Sequence, residues 1–270
     1  MAFAVSADGT RIFYETAGSG PPILLQTASF STARHWEGQI EAFSKHWRIV
    51  TWDYRGHGRS EAPKEPGRYT LEHVLEDLEA VHQAAAGLEP GFLGGLSIGG
   101  LVSLCYALAH PDRVRALVLI NTGPGFRKPE ALAGWRRMLE RAALRMEERG
   151  LVGYLEGRRA RDEILGLDPD SEAAACARAG TLLSSVDGLT RFARGVAGPV
   201  PNLIDSLHLI QAPTLILVGA LDRAFQRAGE VMAAKLPEAT HRLVPDAGHV
   251  LNLDRPAEFA SAVTEFLASV

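Results

Sequence analysis

Residues 95–100 read Gly-Leu-Ser-Ile-Gly-Gly. An apolar run, Gly91-Phe92-Leu93-Gly94, enters this stretch, and a second, Leu101 to Ala109, leaves it. The first has the length of a buried strand and the second that of a buried helix. A strand that turns into a helix within so few residues leaves no room for side chains, so glycine must flank the serine on both sides. Such a turn holds the Ser97 hydroxyl at the carboxyl end of the strand. The first amides of the helix then face any negative charge that develops beside it. The pattern is that of a nucleophile elbow.

The rest of the chain supplies the context that this pattern requires. With 270 residues, 46% of them hydrophobic and 22% charged, the chain can bury a large core without crosslinks. Two cysteines, Cys105 and Cys176, make no disulfide framework and fit a reducing compartment. No Cys/His cluster has metal-ligand spacing, so no metal is expected. A net charge of −4 gives no basic footprint for nucleic acid. The N-terminus has no basic region and meets Asp8 early, unlike a signal peptide. Gly91–Ala109 is a 19-residue uncharged stretch, but five glycines break it around Ser97, and it reads as buried strand and helix, not as a membrane span. A cytoplasmic protein is expected.

Along the chain, Asp8-Gly9 marks a hairpin whose second strand is Arg11–Glu15. Apolar strands follow at Ile23–Leu25 and Arg48–Trp52, with a helix around His35–Lys45 between them. Thr70 has the character of an N-cap for a helix to about Ala86, striped by Leu71, Val74, Leu75, Leu78 and Val81. Further strands fall at Ala116–Asn121, Thr214–Val218 and His241–Val244, with helices at Gln226–Leu236 and Ala257–Ala268. Strands alternating with helices predict a mainly parallel sheet with an antiparallel strand at one edge. Between about 125 and 206 no strand pattern appears. This helical block must leave from the carboxyl ends of the strands, where sites in such sheets gather, and would lie over the site as a lid.

A serine hydroxyl needs a base within reach, and the base needs an orienting group. Asp222 falls just past the strand at 214–218, and His249 just past the strand at 241–244. Asp246 is nearer to His249 in sequence but precedes the loop tip. Of the other histidines, His57 alone sits in a candidate loop. The chain order Ser97, Asp222, His249 is the order expected of a nucleophile, acid and base on this kind of sheet.

With these residues in place, the chain resembles the α/β-hydrolase-fold serine hydrolases. The loop Asp53-Tyr54-Arg55-Gly56-His57-Gly58-Arg59-Ser60, the elbow 95–100, the exit His110-Pro111-Asp112-Arg113-Val114, the strand Ala212-Pro213-Thr214 to Asp222, and Gly248-His249 all match that family's pattern. The resemblance covers most of residues 10–123 and 207–268. It implies an eight-stranded, mostly parallel sheet with helices on both faces and leaves the helical block largely uncovered; the organisation expected is a core of residues 1–124 and 207–270 with a helical cap at 125–206. It also implies that Ser97, Asp222 and His249 form a catalytic triad. After the third strand this family usually has His-Gly, where this chain has Gln26-Thr27-Ala28. By that alignment the amides of Ala28 and Ile98 form the oxyanion hole. A polar pair at this place, with the elbow and the Arg-Gly-His-Gly loop, is similar to 3-oxoadipate enol-lactonases.

The activity implied is hydrolysis of a small carboxylic ester or lactone, by an acyl transfer that needs no cofactor. A carbon–carbon bond hydrolase acting on a ring-cleavage dienoate would use the same three residues. A non-catalytic, ligand-binding member of the fold is the reading from another class. Phe30, Phe126, Trp135, Tyr154 and Val250 are candidates for the pocket wall. From Arg127 to Arg161 there are ten basic and five acidic residues. That block either receives an anionic substrate or is an ordinary helix surface with charges paired four residues apart.

Overall fold

The computed structural model describes residues 2–270. Eight strands, β1 (Ala2–Val5), β2 (Arg11–Ala17), β3 (Pro22–Gln26), β4 (Arg48–Trp52), β5 (Gly91–Leu96), β6 (Val114–Ile120), β7 (Thr214–Gly219) and β8 (Ala239–Val244), form one sheet in the order β1-β2-β4-β3-β5-β6-β7-β8. From β4 to β8 every pairing is parallel. The hairpin differs in detail from the sequence expectation. The reversed strand is β2, which pairs antiparallel with both β1 and β4, so β1 at the edge runs with the rest of the sheet.

The strands are apolar on both faces because both faces are covered. Leu24, Leu117, Leu119, Ile216 and Val218 pack into one core with Val74 and Leu78 of α2 (Leu71–Ala86), Val102 of α3 (Ile98–Ala109) and Met232 of α8 (Arg223–Lys235). Their strand neighbours Ile23, Leu25, Val118, Leu215 and Leu217 pack into the opposite core with Phe43 of α1 (Glu37–Phe43) and Phe259 of α10 (Pro256–Leu267). Thr70 caps α2 as its sequence indicated, its side chain accepting the His73 amide. No helix among the described residues is long and apolar enough to cross a membrane.

Between β6 and β7 the chain is helical among its described residues. It comprises α4 (Pro129–Leu155, bent at Gly150), α5 (Arg158–Ala160, continued by a wider turn to Leu165), α6 (Glu172–Leu182) and α7 (Val186–Phe192). This insertion is fastened to the loops at the carboxyl ends of the strands. Thr181 Oγ1 donates to the Phe30 carbonyl at 3.0 Å, and the Gly58 amide donates to Ser184 Oγ at 2.8 Å.

The loop after β4 is fixed from below by a buried ion pair. Arg55 and Asp77 are both fully buried, with Arg55 Nη2 at 2.6 Å from Asp77 Oδ1. The guanidinium also reaches Asp8 and the Arg68 and His73 carbonyls, so its donors are matched rather than stranded.

Candidate active site

Ser97 stands at φ 56°, ψ −119°, a conformation that side-chain-bearing residues rarely adopt. Its surroundings leave it no alternative. A Cβ at Gly95 would lie 2.2 Å from the Gly99 carbonyl, and one at Gly99 would lie 2.6 Å from the Gln26 carbonyl. The Ser97 amide donates to the Ile120 carbonyl at 2.9 Å, and its own carbonyl accepts from Thr122 Oγ1 at 2.6 Å. The glycines permit the turn, and these bonds hold it.

Asp222 follows β7 and sits at the start of α8. His249 follows β8, with Nδ1 2.7 Å from Asp222 Oδ2. A carboxylate accepts, so Nδ1 carries the proton and Nε2 keeps a free lone pair. Burial alone would lower the His249 pKa. The hydrogen bond and charge of Asp222, with Glu163 behind it, outweigh burial and leave it raised above the ordinary histidine value. Asp246, the alternative acid, is exposed in a turn of its own and is not the partner of His249. His57 is buried against Tyr54 and Phe192, its Nδ1 3.2 Å from the Arg55 carbonyl, and burial pulls its pKa down to about 4. Two further residues hold these loops, and neither was assigned a role from sequence. Asn121 follows β6; its Oδ1 accepts the Gly219 amide at 2.8 Å, and its Nδ2 donates to the carbonyls of Gly248 and His249 at 2.9 and 2.7 Å. Asp254 accepts the Gly248 amide and, from the insertion, the Leu167 amide, both at 2.7 Å. The only hint of Asn121 in the sequence is its place at the end of a strand, level with the other site residues.

Ser97, Asp222 and His249 line one cavity of about 450 Å³ with Ala28, Phe30, Phe126, Trp135 and Phe225. The Phe225 ring lies 5.3 Å from the His249 ring. A second, smaller recess of about 100 Å³ also reaches Ser97, walled by Ile98, Leu101, Val200 and Ala228. Phe126 and Trp135 face both spaces. Val250 does not belong here. It is fully buried in the core on the α1–α10 face, because the turn that exposes His249 points the next side chain inward. Tyr154 stands behind the wall, its ring edge-on to Phe30 at 5.9 Å.

The loop from Gln26 to Thr32 keeps a defined shape without the usual glycine. Gln26 Oε1 accepts from Ser103 Oγ at 2.9 Å, the Thr27 carbonyl accepts from Tyr54 OH at 3.1 Å, and the left-handed residue is Phe30 at φ 66°. Ile98 opens α3, where amides have no acceptor within the helix. Among the described residues, no group of three or more His, Cys, Asp or Glu is placed to hold a metal ion.

Comparison with known proteins agrees with this architecture. Residues 21–165 match the alpha/beta hydrolase fold family. The chain is 29% identical over 272 residues to a Bacillus subtilis (strain 168) protein provisionally named as a 2-succinyl-6-hydroxy-2,4-cyclohexadiene-1-carboxylate synthase, covering 98% of this chain and 97% of that one. It superposes on the crystal structure of the enol-lactonase from Burkholderia xenovorans LB400 with a TM-score of 0.83 at 26% identity, over 99% and 100% of the two chains. A thermophilic esterase from Thermogutta terrifontis gives a TM-score of 0.85 at 28% identity, over 99% and 98%. The chain therefore belongs to the alpha/beta hydrolase fold family, and it is a hydrolase of that fold.

Proposed function

We propose that this protein hydrolyses a carboxylic ester or lactone by acyl transfer through Ser97, His249 and Asp222. The observation that carries this reading is the 2.7 Å contact between His249 Nδ1 and Asp222 Oδ2 in the cavity that Ser97 enters from its constrained turn. A histidine held in that tautomer presents Nε2 as a base, and a raised pKa makes it a stronger one.

In the first step Ser97 Oγ bonds to the substrate carbonyl carbon while its proton passes to His249 Nε2. The carbonyl π electrons move to oxygen, and the amides of Ala28 and Ile98 stabilise that oxyanion. Asp222 stabilises the imidazolium. The carbon–oxygen bond to the leaving group then breaks, and the proton on Nε2 goes to the departing alkoxide. Water repeats the sequence on the acyl-serine, giving the acid and restoring Ser97. A lactone differs only in that its alcohol stays tethered to the acyl group. One substituent of the ester fits the apolar recess beside Leu101 and Val200, and the other fits the larger cavity. The insertion between β6 and β7 serves as the cap of the site, contributing Phe126 and Trp135 to both walls. The enol-lactonase and esterase relatives support ester-type substrates.

The test is initial rates of the wild type and Ser97→Ala on p-nitrophenyl esters of rising acyl length, simple lactones and a ring-cleavage dienoate. Serine-dependent turnover of esters or lactones is expected. Turnover of the dienoate alone would replace ester hydrolysis with carbon–carbon bond cleavage, and binding without turnover would leave a ligand-binding role.

A further inference from the structure

A further concavity of about 390 Å³ lies in the insertion, apart from the two spaces that Ser97 lines. Arg141, Arg145, Arg149 and Arg159 line it, and no aspartate or glutamate does. The first three stand four residues apart on α4, so they share one helix face, and like charges at that spacing repel. The acids that could have neutralised the face are engaged elsewhere. Glu140 and Glu147 both turn to Arg194, with contacts of 2.8 and 2.6 Å. Arg149 has only a 3.8 Å contact with Glu148, and Arg159 pairs with Glu163 at 2.7 Å. Arg141 and Arg145 make no ion pair among the described residues. The i,i+4-paired surface that the composition of the insertion also allowed is present at Arg158–Asp162 and Arg159–Glu163, but it does not extend to Arg141 and Arg145.

The concavity shares a wall with the cavity of Ser97. Met138 and Arg159, in contact with each other, line both spaces. The charge on the two sides of that wall is opposite. On the inner side Asp162, Glu163 and Asp222 face Arg159, which pairs with Glu163, and on the outer side Arg141, Arg145 and Arg149 stand without a lining acid. An anion is therefore repelled from the neighbourhood of His249 and attracted beyond Arg159.

We propose that the arginine pocket binds the terminal oxyanion of a substrate whose ester or lactone lies at Ser97, with the connecting chain passing the Met138–Arg159 wall. The substrate class is then an ester with an anionic end separated from the scissile bond by a linker. This assignment rests on the hydrolase reading of Ser97. Guanidinium forks match carboxylate and phosphate oxygens bidentately, which suits either head group.

The experiment compares methyl half-esters of α,ω-dicarboxylic acids, and acetates of ω-hydroxy acids, with uncharged homologues of equal length, following acid release at two salt concentrations. A preference for the anionic member of about tenfold or more in kcat/KM is expected for long linkers, weakening at high salt. The double variant Arg141→Gln/Arg145→Gln should lose that preference through KM, whereas Arg227→Gln on α8 should keep it. Equal rates for charged and neutral esters in the wild type would overturn the proposal, as would a preference confined to the shortest linkers, which would place the anion inside the cavity. A second readout does not depend on turnover. Adipate or inorganic phosphate should raise the Tm of the wild type and of Ser97→Ala, and not that of the double variant. A Tm shift with no hydrolysis of any ester would sink the hydrolase reading and keep the anion site. Hydrolysis with neither a Tm shift nor a charge preference would do the reverse.

Discussion

Asn121 Nδ2 donates to the His249 carbonyl at 2.7 Å across 128 residues of chain. Through its Oδ1 the same side chain holds the Gly219 amide, three residues before Asp222. One buried amide thus sets the spacing between the loop that carries Asp222 and the loop that carries His249. Asn121→Ala leaves buried groups without partners, and a loss of about 1–3 kcal/mol in unfolding free energy is expected. The activity should fall further than the stability suggests, by about 10²-fold in kcat/KM, because the histidine loses its placement. Denaturant titration beside ester kinetics at saturating fold checks this. A loss of stability with full activity would show that Asn121 serves the fold alone.

Ser97 occupies a backbone conformation that glycine adopts freely. Ser97→Gly should therefore abolish turnover and raise stability, by about 1 kcal/mol or more. Urea midpoints of the wild type, Ser97→Gly and Ser97→Ala separate the two effects, since alanine removes the hydroxyl but keeps the strain. A destabilised glycine variant would mean that the turn is not strained.

The pH profile follows from the charges facing His249. Burial lowers its pKa, the hydrogen bond and charge of Asp222 and then the charge of Glu163 raise it, and Arg159 lowers it, with a net rise above 6.5. The base works when neutral, so kcat/KM on an uncharged ester should climb with pH through a midpoint above 6.5. Glu163→Gln removes a raising charge and should move that midpoint to lower pH. Arg159→Gln removes a lowering charge and should move it to higher pH. Rates of the three proteins from pH 5 to 9, with a non-ionising substrate, read the shifts directly. Shifts of the same sign would contradict the assignment of His249 as the base.

The Arg55–Asp77 pair is fully buried beneath the loop after β4. Removing one partner strands the other, so Asp77→Ala should cost about 3–5 kcal/mol. Chemical denaturation measures it. A cost under 1 kcal/mol would mean that water reaches the guanidinium when the carboxylate is gone.

What could be read from the sequence was what local geometry dictates. The elbow at Ser97 announces itself because tight packing admits only glycine at 95, 99 and 100. Asp222 and His249 were legible because parallel strands end on one side of a sheet. Val250 was misplaced because a one-residue step in a turn reverses the direction of a side chain, and no periodicity records it. Asn121 went unassigned because its partners lie about a hundred residues away, and Asp254 because its contact with Leu167 crosses 87 residues; hydrogen bonds of that range leave no local pattern. The arginine face of α4 was visible as composition. Its meaning depends on Arg194, which draws Glu140 and Glu147 away from a neighbouring segment.

Asp254 gives one oxygen to the histidine loop at Gly248 and the other to the insertion at Leu167. The insertion and the loop of His249 are thereby coupled mechanically at a single carboxylate. Any displacement of the segment around Leu167, on admitting a substrate or after redesign of the insertion, is transmitted within a few bonds to His249. The insertion can be re-sculpted for a new substrate only while residue 167 stays within reach of that carboxylate, and a variant that lets go of it changes the chemistry along with the specificity.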